Sequence, residues 1–401
     1  MTPDTAGADA VGPDAAGLDA AGSDAAGPEA AGSDTARADA VGRPNSPGLK
    51  GCPGPLSEHY DAALLDLDGV VYLGGIPIAG ASDALADAAK RGMKLAYVTN
   101  NASRSPNAIA AQLTGMGVAA TAADIVTSAQ AAAHVLADRL PAGAPVLVVG
   151  GTGLRLAVRE RGLRPVTTAA ERPLAVVQGY SPAISYGLLA EAAIALNAGA
   201  LYVASNADAT LPTPRGPQPG NGSLVQVLVH ATGHQPIVAG KPEPPLQAES
   251  VQRVGAKRPL VVGDRLDTDI EGAVRGGADS LLVLTGVSKP ADLLLAGPQR
   301  RPSYLAADLS GLNASHPEIT RAGAGFGTRA GFNGGGFSCG GWTAAAAAGD
   351  DSWLTVSGHG AWMDGLRALC AAAWSAGSPS GGPQEQRRAA EAVLMAIEPA
   401  R

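Results

Sequence analysis

The sequence predicts an α/β protein built on a parallel sheet with helices on both faces. Seven short, continuously apolar runs recur along the 401 residues, and alanine-rich segments with helical character separate them. Strands that are apolar on both faces and alternate with helices are typical of βαβ units. Hydrophobic residues make up 46% of the chain, which is enough for more than one core.

The individual elements follow from this alternation. Strands are predicted at residues 62–65, 95–98, 146–149, 174–177, 201–204, 260–262 and 281–284. Helices are predicted between them at residues 82–91, 128–140, 186–198 and 223–231. Long polar loops interrupt the middle strands, which indicates two sheets.

The acidity of the chain is concentrated near its N-terminus. Residues 4–43 consist of eight pentads of the type Asp-Ala-Ala-Gly-x with eight acids and two arginines, so most of the net charge of −7 belongs to them. A five-residue period matches neither helix nor strand, and Ala, Gly and Asp bury too little apolar surface to offset the entropy of ordering the chain. Residues 1–55 are therefore predicted to be a disordered low-complexity arm and linker.

The last part of the chain differs in composition from the rest. All three phenylalanines and all four tryptophans lie beyond residue 322, whereas all seven tyrosines lie before it. The segment Ser-Trp-Leu-Thr-Val-Ser-Gly is typical of a strand, and Leu366, Leu369 and Cys370 share one face of a helix. Residues 323–401 are therefore predicted to form a small C-terminal α+β module after a glycine-rich linker.

Composition excludes several classes of protein. No run of 18 apolar residues indicates a membrane span, and no basic segment followed by an apolar stretch indicates a secretory signal. Cys52, Cys339 and Cys370 are far apart and odd in number, so neither a disulfide framework nor a zinc site is indicated. No basic patch interleaved with aromatic residues points to nucleic acid. We expect a cytoplasmic protein without nucleic-acid or membrane partners.

The segment Leu-Leu-Asp-Leu-Asp-Gly places two carboxylates where a predicted strand ends. Asp66 and Asp68 are two residues apart, so on an extended chain both side chains point to the same face. Gly69 allows the sharp turn by which the chain leaves the strand. Ligands of open parallel sheets bind at the carboxyl ends of the strands, so this end is the candidate site.

Three further polar clusters follow apolar runs, two of which are predicted strands, while the run before Lys241 is shorter. They supply a hydroxyl and two amides, a lysine, and more carboxylates, from Thr99, Asn100 and Asn101, from Lys241, and from Asp264, Asp267 and Asp269. Carboxylates at one site repel one another, so a hard cation such as Mg²⁺ is expected between them. A lysine and a hydroxyl beside it suit the oxygens of a phosphate. An ionised Asp66 can then attack phosphorus to form an aspartyl-phosphate, while Asp68 protonates the leaving alkoxide and later deprotonates water.

The four clusters together resemble a known family. The segments DLDGVVY, VTNNASRSP, GKPEP and GDRLDTDI, in this order, are similar to the four motifs of the haloacid dehalogenase-like (HAD) superfamily. More narrowly, they resemble subfamily IIA, which includes p-nitrophenylphosphatases, pyridoxal phosphate phosphatases and glycerol-3-phosphate phosphatases. The resemblance implies a Rossmann-like core with a parallel sheet at residues 56–144 and 239–310, and an inserted α/β cap of the C2 type at residues 145–238.

The resemblance also implies a role for each motif residue. Asp66 is the expected nucleophile and a magnesium ligand, and Asp68 is the expected acid/base, which binds magnesium through its backbone carbonyl. Asp264 completes the expected metal site, and Asp269 supports it from the second shell. Lys241 is expected to neutralise the charge of the nucleophile and the phosphate. The residues expected to hold the transferring phosphoryl group are Thr99, Asn100, Asn101 and Lys241.

A loop of the expected cap bears on the substrate. Residues 205–224, SNADATLPTPRGPQPGNGSL, are similar to a long loop of the family, in which relatives selective for pyridoxal phosphate carry a histidine before the proline. Here Leu211 precedes Pro212, and the loop has no aromatic residue to stack on a ring. A small, non-aromatic phosphate ester such as glycerol 3-phosphate is therefore expected. Pyridoxal phosphate, phosphoglycolate and nucleotides stay open as alternatives, and the resemblance allows a homodimer formed through the cap.

Three other interpretations remain at this point. A non-catalytic module that binds phosphorylated metabolites would need the metal site but no acid/base, so the presence of Asp68 favours an enzyme. A phosphotransferase would share every catalytic residue. The segment Val-Val-Gly-Gly-Thr-Gly-Leu-Arg hints at a dinucleotide fingerprint, but Leu156 occupies the third glycine position, so a tight turn between strand and helix is the better interpretation.

Overall fold

The computed structural model describes residues 48–211, 213, 215–322, 335–347 and 353–398. The strands are β1 Ala62–Leu65, β2 Tyr72–Leu73, β3 Ile76–Pro77, β4 Lys94–Thr99, β5 Ile125–Thr127, β6 Pro145–Val149, β7 Arg164–Val166, β8 Ala175–Gln178, β9 Leu201–Ala204, β10 Thr210–Leu211, β11 Gln218–Pro219, β12 Ile237–Val238, β13 Pro259–Gly263, β14 Asp279–Val283, β15 Tyr304–Ala306, β16 Thr320–Arg321, β17 Phe337–Cys339, β18 Trp342–Ala346 and β19 Leu354–Gly358. The α-helices are α1 Leu56–His59, α2 Ala81–Lys90, α3 Pro106–Gly115, α4 Ser128–Ala137, α5 Thr152–Glu160, α6 Tyr186–Asn197, α7 Asn221–Thr232, α8 Pro244–Val254, α9 Glu271–Arg275, α10 Pro290–Leu294, α11 Trp362–Ala376 and α12 Pro383–Leu394.

A six-stranded parallel sheet with the order β15-β14-β13-β1-β4-β5 forms the centre of the fold. All four residues of β1 are buried, as expected for a strand whose two faces both carry apolar side chains. Strands β13, β1 and β4 are neighbours, so their carboxyl ends lie side by side at one edge.

Capping side chains fix where helices α3 and α4 begin at this edge. The hydroxyl of Ser105 accepts a hydrogen bond from the Ala108 N–H at the start of α3, and Pro106 occupies the first helical position. Thr127 and Gln130 form a reciprocal capping box at the start of α4. The loop after β4 is therefore limited to residues 100–105, and α4 follows β5 directly.

A second parallel sheet with the order β12-β9-β8-β6-β7 lies within residues 145–238, for which a cap was predicted, and we call this segment the cap unit. Its apolar side chains are continuous with those of the central sheet. One buried cluster contains Val98 and Val126 from the central sheet together with Val146 and Leu154 from the cap unit. The two sheets therefore share a hydrophobic core.

A buried ionic cluster also crosses this boundary. Glu249 on α8 is 5% exposed and accepts hydrogen bonds from His134 at 2.5 Å, from Arg161 of the cap unit at 2.9 Å and from Arg253 at 2.5 Å. Burial by itself raises the pKa of Glu249, but these hydrogen bonds and charges outweigh it and lower the pKa below its ordinary value. Glu249 is therefore ionised at neutral pH.

The C-terminal unit is an antiparallel sheet of order β16-β17-β18-β19 with helices α11 and α12. It begins at β16, slightly before the predicted boundary at residue 323. Its α11 packs onto the core: Leu369 is fully buried in a cluster that includes Leu282, and the Arg367 guanidinium donates to the Leu305 carbonyl at 2.7 Å. The unit thus shares an interface with the core.

The last residues of the predicted arm and linker are ordered in the structure, which differs from the prediction. The Lys50 N–H donates to the Ser303 carbonyl and the Cys52 N–H to the His316 carbonyl, each at 2.8 Å, so residues 48–55 lie against the core. Residues 1–47 of the predicted arm and residues 323–334 of the predicted C-terminal module lie outside the described residues. Among the described helices, none is long and apolar enough to cross a membrane.

Candidate active site

The four polar clusters predicted from the sequence meet at the carboxyl edge of the central sheet. Asp66 follows β1, Thr99 ends β4, and Asp264 follows β13. Lys241 follows β12 of the cap unit and reaches the same point. Side chains from all four line one cavity of 210 Å³ between the central sheet and the cap unit.

Lys241 connects two of the aspartates. Its ammonium group donates to Asp66 Oδ1, to Asp269 Oδ1 at 2.7 Å and to the Val98 carbonyl at 3.3 Å. The side chain is 12% exposed. Burial alone would lower the pKa of Lys241, but the carboxylates of Asp269 and Asp66 outweigh it and raise the pKa. Lys241 is therefore a permanent positive charge next to Asp66.

The carboxylates at this edge form a candidate metal centre. Among the described residues, Asp66, Asp264 and Asp269 each place one carboxylate oxygen within 4.8 Å of the others. Burial raises the pKa of Asp66 to about 7, with further contributions from Asp269 and Asp264, and Lys241 opposes this rise. Burial together with Asp269 raises the pKa of Asp264 to about 6. The site thus concentrates more negative charge than Lys241 offsets.

The surroundings of Asp264 fit a hard cation. Its Oδ2 accepts the Val287 N–H at 2.6 Å, whereas its buried Oδ1 has no hydrogen-bond partner among the described residues. A β-carbon at Gly69 or Gly286 would lie 2.5 or 2.0 Å from Oδ2, so both glycines leave room for this carboxylate. An oxygen-only donor set with a buried, unpartnered oxygen suits Mg²⁺.

Asp68 and Asp269 occupy different surroundings. Asp68 lines the cavity, and its Oδ1 lies 3.5 Å from the Gly74 nitrogen. Partial burial of the carboxyl group raises the pKa of Asp68. Asp269, predicted to support the metal from the second shell, is 1% exposed and offers an oxygen to the carboxylate cluster itself. It also accepts the Arg265 N–H at 3.2 Å, which fixes the start of the π-helical turn Leu266–Ile270.

The loop after β4 holds the residues predicted to bind phosphate. Thr99 Oγ1 accepts the Asn101 N–H at 3.1 Å, and Asn101 Oδ1 accepts from the Ser103 N–H and hydroxyl at 2.9 and 2.7 Å. Thr99 and Asn101 both line the cavity. These local hydrogen bonds give the loop one shape at the cavity, which Asp66 and Lys241 also line.

Asn100 differs from its neighbours, because its carboxamide is used within the protein. Its Oδ1 accepts the Lys241 N–H at 2.8 Å, and its Nδ2 lies 3.1 Å from the Lys241 carbonyl and 3.2 Å from Asp208 Oδ1. Its backbone carbonyl accepts from Asn206 Nδ2 at 2.7 Å. The amide side chain therefore joins the lysine segment to the cap unit.

Sequence reasoning missed several residues of the cavity. Asp208 reaches it from the cap unit, four residues after the end of β9, and Arg104 and Arg265 line it from the core. Burial raises the pKa of the Asp208 carboxyl, with Arg265 and Asn100 opposing the rise. The signal for Asp208 was a polar Ser-Asn-Ala-Asp segment directly after a predicted strand, which is the same signal that identified the other clusters.

The glycine-rich segment that hinted at a dinucleotide has a packing role. A β-carbon at Gly153 would lie 2.6 Å from the Arg104 carbonyl and 2.8 Å from the Ala102 carbonyl, and one at Gly151 would lie 3.4 Å from the Ser103 carbonyl. The glycines therefore allow the start of α5 to approach the loop after β4. This contact supports the interpretation as a tight turn.

Three family models match separate parts of the chain. Residues 63–164 match a haloacid dehalogenase-like hydrolase model, and residues 238–312 match a HAD-hydrolase-like model. Residues 339–397 match a model of a GCN5-related N-acetyltransferase-like domain. The first two matches include the four polar clusters, and the third coincides with the C-terminal unit.

Individual relatives are similar over much of their length. The chain is 52% identical to a D-glycerol 3-phosphate phosphatase of Mycobacterium tuberculosis over 258 residues, which cover 64% of this chain and 72% of the relative. It is 38% identical to the 5'-nucleotidase YutF of Bacillus subtilis, with 58% of this chain and 90% of the relative covered. The structure is similar to that of a glycerol phosphate phosphatase from M. tuberculosis in complex with magnesium, with a TM-score of 0.73, 44% identity, and 85% of this chain and 100% of that one covered.

Proposed function

Because this chain belongs to the haloacid dehalogenase-like hydrolase family, we propose that it is a magnesium-dependent phosphatase of small phosphate monoesters with Asp66 as its nucleophile. The observation that carries the proposal is the buried cluster in which Lys241 bonds both Asp66 and Asp269 beside Asp264. An attacking carboxylate held by a fixed cation at the mouth of a cavity suits phosphoryl transfer.

The chain's own residues divide the reaction between them. Asp66 attacks phosphorus and forms an aspartyl-phosphate, and Lys241 neutralises charge on both partners. Asp68, whose carboxyl lines the same cavity, gives a proton to the leaving alkoxide and then takes one from the attacking water. Thr99 and Asn101, which line the same cavity, would hold the phosphoryl oxygens. Asp66 and Asp264, with the Asp68 backbone carbonyl, would hold Mg²⁺, which supplies charge stabilisation at the phosphoryl oxygens when it is bound.

We propose glycerol 3-phosphate as the substrate. The relative that is 52% identical is named for this ester, and it is small enough for a cavity of 210 Å³. Leu211 lines the cavity at the position where a histidine marks relatives selective for pyridoxal phosphate. We assign residues 145–238 as the cap that encloses this leaving group.

The test is phosphate release from glycerol 3-phosphate, pyridoxal phosphate, phosphoglycolate and nucleoside monophosphates, with Mg²⁺ and with EDTA. The wild type and the control Asp83→Asn, whose carboxylate is exposed on α2, should release phosphate only with Mg²⁺, and fastest from glycerol 3-phosphate. Asp66→Asn should be inactive and remain folded by circular dichroism. Wild-type kcat in Asp66→Asn would refute the nucleophile, and faster release from another ester would refute the substrate.

Assembly and location complete the proposal. We propose a homodimer formed through the cap unit, because Tyr186, Ile194 and Val227 on its helices α6 and α7 are 87%, 57% and 48% exposed. Light scattering should give twice the chain mass, and a monomer for Tyr186→Ser/Ile194→Ser; a monomeric wild type would contradict the dimer. We also propose a cytoplasmic location, since Cys52, Cys339 and Cys370 are free thiols, and cell fractionation tests it.

A further inference from the structure

One carboxamide lies between the cap unit and the lysine of the active site. Asn100 hydrogen-bonds both polar groups of the Lys241 backbone, accepting the N–H at 2.8 Å and donating to the carbonyl at 3.1 Å. On its other side it meets Asp208 of the cap unit, whose two oxygens lie 3.2 and 3.3 Å from Nδ2. No phosphate-binding role is needed to account for these contacts.

Asp208 and the Lys241 backbone together fix which way this carboxamide faces. An amide group rotated by half a turn would present its oxygen where its nitrogen stands, and the Lys241 N–H would then meet a donor. Both Asp208 oxygens accept from Nδ2, so Asp208 stabilises the orientation in which the nitrogen of Asn100 lies on its own side. The oxygen of Asn100 is thereby kept at the Lys241 N–H.

The chain just before Lys241 packs closely against Asn100. A β-carbon at the preceding Gly240 would lie 2.6 Å from Asn100 Oδ1 and 2.5 Å from the Ser205 carbonyl, so the chain passes here in close contact with both. The Asp208 loop is itself fixed, because the Asp208 N–H donates to Asn206 Oδ1 at 3.2 Å and Asn206 is 4% exposed. Any displacement of Asp208 would therefore displace Asn100 and, through it, the Lys241 backbone.

We infer that Asp208 is a positioning residue for phosphoryl transfer, which acts through Asn100 to hold the Lys241 backbone and thereby couples the cap unit to the active site. The inference rests on the proposed function. Lys241 would serve every ester alike, because it contacts the nucleophile Asp66, which attacks the phosphoryl group that all the esters share. Loss of the Asp208 carboxylate should accordingly lower kcat for all substrates. A carboxylate that instead binds a hydroxyl of the leaving group would matter only for esters that carry one.

The experiment compares Asp208→Ala, Asp208→Asn, Asn100→Ala and the double variant Asn100→Ala/Asp208→Ala with the full-length wild type. The substrates are glycerol 3-phosphate and p-nitrophenyl phosphate, whose leaving group carries no hydroxyl substituent. The control is Glu171→Ala, which removes a cap carboxylate whose contacts are with Arg164 and the adjacent loop. Thermal unfolding of each variant establishes that it is folded.

Asp208→Ala should lower kcat roughly tenfold to a hundredfold on both esters, because misplacement of a catalytic group by about 1 Å has effects of this size, with KM changed less than about threefold. Asp208→Asn keeps an acceptor for Asn100 and should recover most of kcat. The double variant should be no slower than the slower single variant, and Glu171→Ala should match the wild type.

Three results would overturn the inference while leaving the proposed function intact. These are a loss confined to glycerol 3-phosphate, losses that multiply in the double variant, and equal defects in Asp208→Ala and Asp208→Asn. A wild type that is inactive on every ester would instead overturn the proposed function, and the inference with it. If Asp208→Ala does not fold, the other two single variants still test the inference. Asp208→Asn must keep most of the wild-type kcat, and Asn100→Ala must lower kcat on both esters.

Discussion

The fit of Gly286 against Asp264 predicts how the metal site responds to one added methyl group. A β-carbon at position 286 would lie 2.0 Å from Asp264 Oδ2 and 2.5 Å from its Cγ. Those contacts must lengthen by roughly 1 Å or more to reach van der Waals separation. Either the carboxylate moves, or the loop that carries Gly286 moves.

Both responses disturb the same hydrogen bond. Asp264 Oδ2 is held by the Val287 N–H at 2.6 Å, and the Ser288 N–H donates to the Asp264 carbonyl at 3.1 Å. If the loop retreats it withdraws these donors, and if the carboxylate rotates it leaves them. Loss of a hydrogen bond that orients a metal ligand lowers metal affinity by roughly tenfold to a hundredfold. Gly286→Ala should therefore raise the Mg²⁺ concentration for half-maximal activity by that factor.

The assay is phosphate release as a function of Mg²⁺ concentration, together with calorimetric titration of Mg²⁺ without substrate. Gly297→Ala is the matched control, because its backbone φ is −67° and no atom of the described residues lies within 4 Å of the added β-carbon. The control should keep the wild-type Mg²⁺ dependence. If Gly286→Ala also keeps it in both measurements, Asp264 does not bind the metal in the way that this geometry requires.

Three further predictions concern stability and the arm. Glu249→Ala leaves Arg161, Arg253 and His134 without their carboxylate partner and should lower the free energy of unfolding by about 2–3 kcal/mol in urea titrations. Because the folded pKa of Glu249 is lowered, its contribution is present above the ordinary glutamate pKa and should fade as pH falls below that value in the wild type but not in the variant. Leu369→Ala, at a fully buried position between the C-terminal unit and the core, should cost about 3 kcal/mol, whereas Met395→Ala, 67% exposed, should change stability by less than about 0.5 kcal/mol. Removal of residues 1–43 should leave kcat/KM unchanged, and a tenfold loss would contradict the prediction of a passive arm.

Much of the fold could be predicted because its central strands are continuously apolar. Each of the seven predicted strands coincides with an observed strand to within one or two residues, and the α/β fold and the family are confirmed by the matches to both hydrolase models. Strands β5 and β15 of the central sheet and β7 and β12 of the cap unit were missed because they have two or three residues each, and a segment that short has no measurable period.

The end of the chain shows a second limit of sequence reasoning. A shift in aromatic composition correctly indicated a unit of its own, but composition carries no information on what that unit packs against. Trp374 donates through Nε1 to the Leu293 carbonyl at 3.0 Å, and Arg301 lies 5.2 Å from its ring centre. Both partners belong to the core and lie more than 70 positions earlier, so the tryptophan that marked a separate module is part of the interface.

The contrast between Asp264 and Asp208 explains why one was found and the other missed. Asp264 follows a strand of the central sheet, and parallel topology brings the carboxyl ends of neighbouring strands to one edge, so sequence position alone predicts its neighbours. Asp208 follows a strand in the other sheet, and its partner Asn100 is 108 positions away. The orientation of the cap unit is set by the apolar cluster around Val146 and Leu154 and by the glycine contacts of α5. The strand-end signal therefore marks Asp208 as a polar residue after a strand, but its contact with Asn100 depends on packing between the two sheets, which that signal does not describe.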